Sequence, residues 1–150
     1  MKLTDEEIAR LRDSGIRLDR EGRFWHEGGE VLHHGLRAAL WRWLDRNPDG
    51  RWVLRLDPER FVYLEVDDVP YFVSSLRWQD NQAIGQLSDG SEETLALQTI
   101  TLRDGQGYLT VKGKFPARLA SDAFTTLGQR FIERDGAVWL DLPTPIRLSG

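Results

Sequence analysis

The feature that most constrains this chain is an internal repeat. A first copy opens Ile16-Arg17-Leu18, turns at Gly22, continues Phe24-Trp25 to Gly28, passes a helical stretch and closes Asp49-Gly50-Arg51-Trp52-Val53-Leu54-Arg55-Leu56. A second opens Ile100-Thr101-Leu102, turns at Gly107 and continues Tyr108-Leu109 to Gly113. After another helical stretch it closes Asp135-Gly136-Ala137-Val138-Trp139-Leu140-Asp141-Leu142. Partners lie 84 positions apart at Ile16 and Ile100, 85 at Gly28 and Gly113, and 86 at Asp49 and Asp135, a drift that two one-residue insertions explain. Small-molecule sites favour interfaces between related units, so a duplicated scaffold directs attention to the seam between its copies.

Periodicity fills in the elements. Thr4-Asp5-Glu6-Glu7 reads as a capping box and Gly15 as a helix stop, which predicts an N-terminal helix over residues 1–15. From Ile16 the apolar period becomes two, and Asp19-Arg20-Glu21-Gly22 joins two strands as a turn. Leu32, Leu36, Leu40, Trp43 and Leu44 fall on one helical face, with Trp41 off it, and Asn47-Pro48-Asp49-Gly50 breaks that helix. Alternation over residues 52–56, 61–66, 71–78 and 83–87, with Gln79-Asp80-Asn81-Gln82 as a polar turn, predicts a locally connected antiparallel meander. In the second copy Asp104-Gly105-Gln106-Gly107 is the hairpin turn. A helix is predicted over residues 116–133, with Pro116 in its first turn and Leu119, Ala123, Phe124, Leu127 and Phe131 as its buried stripe. The class is therefore α+β, a duplicated hairpin, helix and strand unit with mainly antiparallel sheets. Its parts are an N-terminal helix (1–15), a first repeat with the meander (16–99) and a second repeat (100–150), all within one compact unit.

Composition removes several function classes. A net charge of −4 is unfavourable for a phosphate backbone, so no nucleic-acid partner is expected. No apolar run approaches the ~20 residues of a membrane helix, and the acidic first residues lack a signal peptide's apolar core. No membrane partner is expected, and cytoplasmic location follows as the expectation. With no cysteine there is no disulfide, thiolate nucleophile or cysteine-based zinc site. Apart from Lys2, Lys112 and Lys114 every basic residue is arginine, whose fork suits carboxylate or phosphate.

Residues that carry chemistry are few. Glu65, Asp67 and Asp68 crowd a strand end, where they suit an ion pair with an arginine better than a metal, since hard-ion motifs use more ligands. His33 and His34 are adjacent and cannot chelate from one helix face, and no serine has the surroundings of a nucleophile elbow. Gly105-Gln106-Gly107 lacks the strand-to-helix setting of a phosphate loop. No cofactor is implied, and the reading leans away from an enzyme. The six tryptophans are more informative, because aromatic faces stack rings while a nearby arginine holds an anion. Trp43 and Trp52 are expected in the core, and Trp25, Trp41, Trp78 and Trp139 at the seam.

The order of motifs carries a family likeness. Gly22-x-Phe24-Trp25-His26-Glu27-Gly28, Asp49-Gly50-x-Trp52, Glu65-Val66-Asp67-Asp68-Val69-Pro70-Tyr71, Lys112-Gly113 with Ala117-Arg118-Leu119, and Val138-Trp139 together resemble the bacterial DUF1285 family over residues 16–150. The resemblance implies a duplicated α+β core whose C-terminal half is similar to a pleckstrin-homology-like fold. It also implies a family without an established activity, for which a nucleotide-like ligand between the halves and a signalling role have been suggested. The chain departs from the family pattern at Asp57-Pro58-Glu59-Arg60 and at Leu140-Asp141-Leu142-Pro143, and it is shorter than typical members. The resulting expectation is a non-enzymatic ligand-sensing or signalling module for a small anionic, nucleotide-like ligand. Trp25, Glu65, Asp68, Tyr71, Trp78, Arg118 and Trp139 form the candidate binding set, with Glu65 and Asp68 positioning Arg118. The alternative is a domain that binds a protein partner and no small molecule.

Overall fold

The computed structural model describes Thr4 and residues 12–148. The helix expected over residues 1–15 lies mostly outside that set, and its expected end is not a helix end. Asp13–Leu18 is strand β1, and Gly15 sits inside it at φ +66°. There the pairing of β1 with a later strand shifts register between Asp13 and Arg17. Ser14 Oγ donates to the Tyr63 carbonyl at 2.6 Å and accepts from the Ile16 N–H at 3.0 Å, and Asp13 Oδ1 accepts from the Gly15 N–H at 3.0 Å. A left-handed glycine at a bulge explains the residue that looked like a helix stop.

The chain divides after Pro70 into two compact units, 1–70 and 71–150. Of the meander strands, Trp52–Arg55 and Phe61–Val66 pair within the first unit, and Tyr71–Gln79 and Gln82–Leu87 within the second.

In the first unit the strands after β1 are β2 (Phe24–His26), β3 (Gly29–Glu30), β4 (Leu44–Arg46), β5 (Trp52–Arg55) and β6 (Phe61–Val66). They form one sheet in the order β3-β2-β1-β6-β5-β4. Only β1 with β6 is parallel, so the sheet is mainly antiparallel as expected. Helix α1 (His34–Trp43) runs without a spacer into β4. The His33 ring caps it by accepting from the Leu36 N–H at 3.1 Å. Its buried face is Ala39, Leu40 and Trp41, whereas Leu32 is 73% and Leu36 44% exposed.

The expected stripe therefore holds at Leu40 and Leu44, which are buried, and fails at Leu32, Leu36 and Trp43, the buried face turning toward Ala39 and Trp41. Trp41, expected at the seam, is core. It meets Phe24 edge-on with centroids 4.7 Å apart, and Leu18, Leu44, Leu54 and Leu64 of the same unit are also buried. Trp43 and Trp52, expected in the core, are half-buried.

In the second unit β7 (Tyr71–Gln79), β8 (Gln82–Leu87), β9 (Glu92–Thr94), β10 (Thr101–Arg103), β11 (Gln106–Val111) and β12 (Phe115–Leu119) form a sheet in the order β10-β11-β12-β7-β8-β9. Here β12 with β7 is the parallel pair. Helix α2 (Ser121–Gly128) packs on β7 and β12, and β13 (Phe131–Arg134), β14 (Ala137–Leu140) and β15 (Ile146–Arg147) make a separate three-stranded sheet.

The single helix expected over residues 116–133 is thus three elements. Pro116 pairs opposite Thr110 and stands one residue before the parallel pairing with β7 begins at Ala117. Its missing N–H is tolerated at a strand's beginning as well as at a helix's. Among the described residues no helix is long and apolar enough to cross a membrane.

The duplication holds as an order of elements: hairpin, helix, hairpin. Its glycines play unequal parts. Gly22 adopts φ +83°. Its partner Gly107 is needed for close approach, since a Cβ there would stand 2.9 Å from Leu119 Cδ1 and 3.1 Å from the Phe124 ring. That packing role settles Gly105-Gln106-Gly107 as hairpin, with the turn itself at Asp104 and Gly105, both at positive φ.

Candidate functional site

In the first unit the hairpin β1–β2 closes on Asp19, which is 8% exposed. Its Oδ1 accepts backbone N–H groups from Glu21 at 2.9 Å and Arg23 at 2.8 Å, and its Oδ2 accepts the Trp25 indole N–H at 2.8 Å. Burial pushes this carboxyl up. The indole, the two backbone donors and the Arg23 charge together hold it below the usual aspartate range. Trp25, a candidate for ligand stacking, thus commits its only donor to a turn, and the Arg17 guanidinium lies 6.0 Å from its half-buried ring.

The acidic block at the end of β6 is laced to β1 and its turn. Arg17 pairs with Asp67 at 2.5 Å, and Arg20 stands 4.0 Å from Asp68. Glu65 is exposed, opposite Arg17 in the parallel register. It lines a cavity of about 510 Å³ with Asp13, Gly15, Ile16, Arg51, Tyr63 and Leu64, beside the β1 register shift. The Arg51 guanidinium sits 3.4 Å from the Tyr63 ring centroid. With Asp13 and Glu65 against one arginine, the lining is net negative and disfavours an anion.

In the second unit Tyr71 is 3% exposed and packs against Phe115 with centroids 5.0 Å apart, Lys112 Nζ lying 5.6 Å from its ring. Arg118 is half-buried with its guanidinium 5.4 Å from the Phe72 ring centroid. Trp139 is half-buried in β14, opposite Ile132 and Arg147. Its indole N–H is buried with no hydrogen-bond partner among the described residues.

Trp78 stands where β7 approaches its turn, and its indole N–H donates to the Thr126 carbonyl of α2 at 3.0 Å. That carbonyl, in the helix's last turn, also accepts the Gln129 N–H at 3.3 Å. Over the ring, 4.1 Å from its centroid, lies the guanidinium of Arg130, a residue of the two-residue spacer between α2 and β13. Arg130 donates to Asn81 Oδ1 at 3.0 Å and to the Asp80 carbonyl at 2.6 Å. Among the described residues it has no carboxylate partner; its bonds go to neutral acceptors.

It borders a groove of about 460 Å³ lined also by Asn81, Gln129, Ile132, Asp141, Leu142 and Pro143. Strand alternation puts Arg130 and Ile132 of one edge, and Trp139 and Asp141 of the next, on one face. The structure thus gathers Trp78 and Trp139 from the candidate set around this side of the second unit.

Sequence reading missed Arg130 because a helix drawn to residue 133 makes it one more residue of the last helical turn. A basic residue just past a helix end, where it complements the helix dipole, was the available signal.

The fold matches solved structures. A DUF1285 family protein from Silicibacter pomeroyi DSS-3 superposes with a TM-score of 0.74 at 16% identity, over 99% of this chain and 90% of that one. A DUF1285 family protein from Shewanella baltica OS155 does so with a TM-score of 0.63 at 16% identity, over 76% of this chain and 90% of that one. No family profile and no curated protein matches the sequence. At this identity the likeness establishes a DUF1285-like fold, in agreement with the motif resemblance.

Proposed function

We propose that the protein is a non-enzymatic ligand-sensing module whose second unit takes up a small anionic ligand in the groove beside Arg130. The observation that carries this reading is the Arg130 guanidinium, fixed on the Trp78 ring by two neutral acceptors and lacking a carboxylate partner among the described residues. A guanidinium has five N–H donors, so donors remain for an incoming carboxylate or phosphate, and charge-assisted bonds of this kind are the strong ones. Preorganisation helps, because the side chain's freedom is already restricted before the ligand arrives. The remaining lining offers two amides, one carboxylate and three apolar side chains, a set suited to holding a small organic molecule.

The test is a titration with inorganic phosphate, nucleoside monophosphates and short-chain carboxylates, following tryptophan fluorescence and melting temperature. At least one anion should give saturable quenching that is lost in Trp78→Phe, and Arg130→Gln should weaken its binding at least about tenfold. The absence of any response up to about 10 mM, beyond the weakest affinities of interest, overturns the reading.

A protein-interaction role has one observation in its favour, the exposed pair Leu32 and Leu36 at the start of α1. An apolar patch of that kind on a folded surface marks contact sites when it is contiguous.

A further inference from the structure

Arg130 and Asp141 should be an ion pair, and they are not one. The β13–β14 register, Phe131 opposite Leu140, continues to place Arg130 opposite Asp141, and the Asp141 N–H donates to the Arg130 carbonyl at 2.8 Å. Side chains at opposed positions on one face have Cβ atoms roughly 4.5–5.5 Å apart, close enough for opposite charges to meet. Arg130 instead bonds the Asp80 carbonyl and Asn81 and lies over the Trp78 ring. Asp141 is exposed at the groove and its carboxylate is without a cationic partner among the described residues. The groove therefore presents a cation and an anion held apart, with the apolar side chains of Ile132, Leu142 and Pro143 beside them.

From this separation we infer that the ligand of the groove is a zwitterion, specifically an α-amino acid with an apolar side chain. The inference rests on the proposed anion-binding reading and narrows it. A carboxylate on Arg130 alone would share the groove with the Asp141 carboxylate, and like charges in one groove oppose each other. A molecule whose ammonium meets Asp141 while its carboxylate meets Arg130 satisfies both groups and leaves neither charge unpaired. The amides of Asn81 and Gln129 add neutral donors and acceptors, and the three apolar residues supply a surface for an aliphatic side chain. A phosphomonoester, carrying close to two negative charges, suits a groove with a single arginine and an opposing carboxylate less well.

The experiment compares leucine with two molecules that each lack one of its charges, 4-methylpentanoate without the ammonium and 3-methylbutylamine without the carboxylate. Calorimetry and Trp78 fluorescence are run on the full chain and on Arg130→Gln and Asp141→Asn. Asp141 is exposed, so its substitution leaves the fold intact, which melting temperature verifies.

Leucine should bind at least about tenfold tighter than either analogue, a factor expected from one charge-assisted contact. In Asp141→Asn that advantage over 4-methylpentanoate should fall to about onefold while 4-methylpentanoate binds as well as before or better. If leucine and 4-methylpentanoate bind equally and Asp141→Asn changes neither, the zwitterion inference is overturned and the anion reading stands. If neither carboxylate binds but phosphate or a nucleotide does, the inference again fails alone. If no anion of any kind binds, both fail together.

Discussion

The two repeats order their elements alike and connect them differently. In the first, strand β6 at the end of the unit returns to lie parallel to β1, and the hairpin and closing strands share one sheet. In the second, the parallel partner of the hairpin is β7, a meander strand, and β13 to β15 are left to form a small sheet of their own. A repeated sequence pattern thus specifies local pieces, since turn residues and apolar period act over a few residues. Which sheet a piece joins is decided by partners far along the chain. The groove of the second repeat goes with this difference, because its separate sheet carries Ile132 and is flanked by Arg130 and Asp141.

The strongest way to break the comparison is to test whether the two helices are equivalent anchors. Trp41 and Leu127 are partners at the 86-residue spacing and are 5% and 0% exposed. Trp41→Ala should cost about 3–5 kcal/mol and Leu127→Ala about 2–5 kcal/mol in denaturant unfolding, by lost burial and a cavity. A loss under about 1 kcal/mol for Trp41→Ala, the level of an exposed side chain, would return it to the surface and break the equivalence.

A smaller effect should separate two tryptophans that the sequence treated alike. Trp25→Phe removes the donor bonded to Asp19 and should cost about 1.5–3 kcal/mol, the range for hydrogen bonds to charged groups. Trp139→Phe removes a buried donor with no partner among the described residues, so unfolding should show stability unchanged or slightly raised. Equal losses would mean that the two indoles are held in the same way.

The smallest effect sharpens the comparison in acid. Asp89 in the second unit also lies below its usual range. Burial raises it, and the Lys112 ammonium at 2.6 Å, the Ser91 hydroxyl and the Ser91 backbone N–H outweigh that. For both Asp19 and Asp89 the folded value is depressed, so their stabilisation is complete above the unfolded value of about 4 and is lost as pH falls through the folded value. Melting temperature should therefore decline below about pH 4, and Asp19→Asn and Asp89→Asn should each flatten part of that decline. Added salt should weaken the Asp89 contribution more, because its first partner is a charge while that of Asp19 is a neutral indole. Parallel acid profiles for parent and variants would show that neither carboxylate carries the dependence.

What was legible in the sequence was short in range. Hairpin turns at Asp104-Gly105 and Asp135-Gly136 need residues that accept positive φ, and the chain supplies them. The class followed from alternation and breakers. The phase of α1 was not legible, because Leu36, Leu40, Trp41 and Leu44 permit two neighbouring stripes and only packing on Phe24 selects between them. Residues 115–119 were misread because Pro116 suits the opening of either a strand or a helix, and pairing with β11 and β7 decides. At the site Trp78 was named from sequence. Arg130 was hidden by that same overlong helix, and Asp141 was noticed only as a departure from a family pattern.

The junction after each helix suggests a transplant experiment for protein engineering. Where α1 hands over to β4 there is no spacer, and where α2 hands over to β13 there are two residues, Gln129 and Arg130. A dipeptide of that kind turns a rigid hand-over into a mount for a new side chain without disturbing the strands on either side. The helix-to-strand joint is then the place at which a copied scaffold can acquire a trait its twin lacks, by a change as small as two codons.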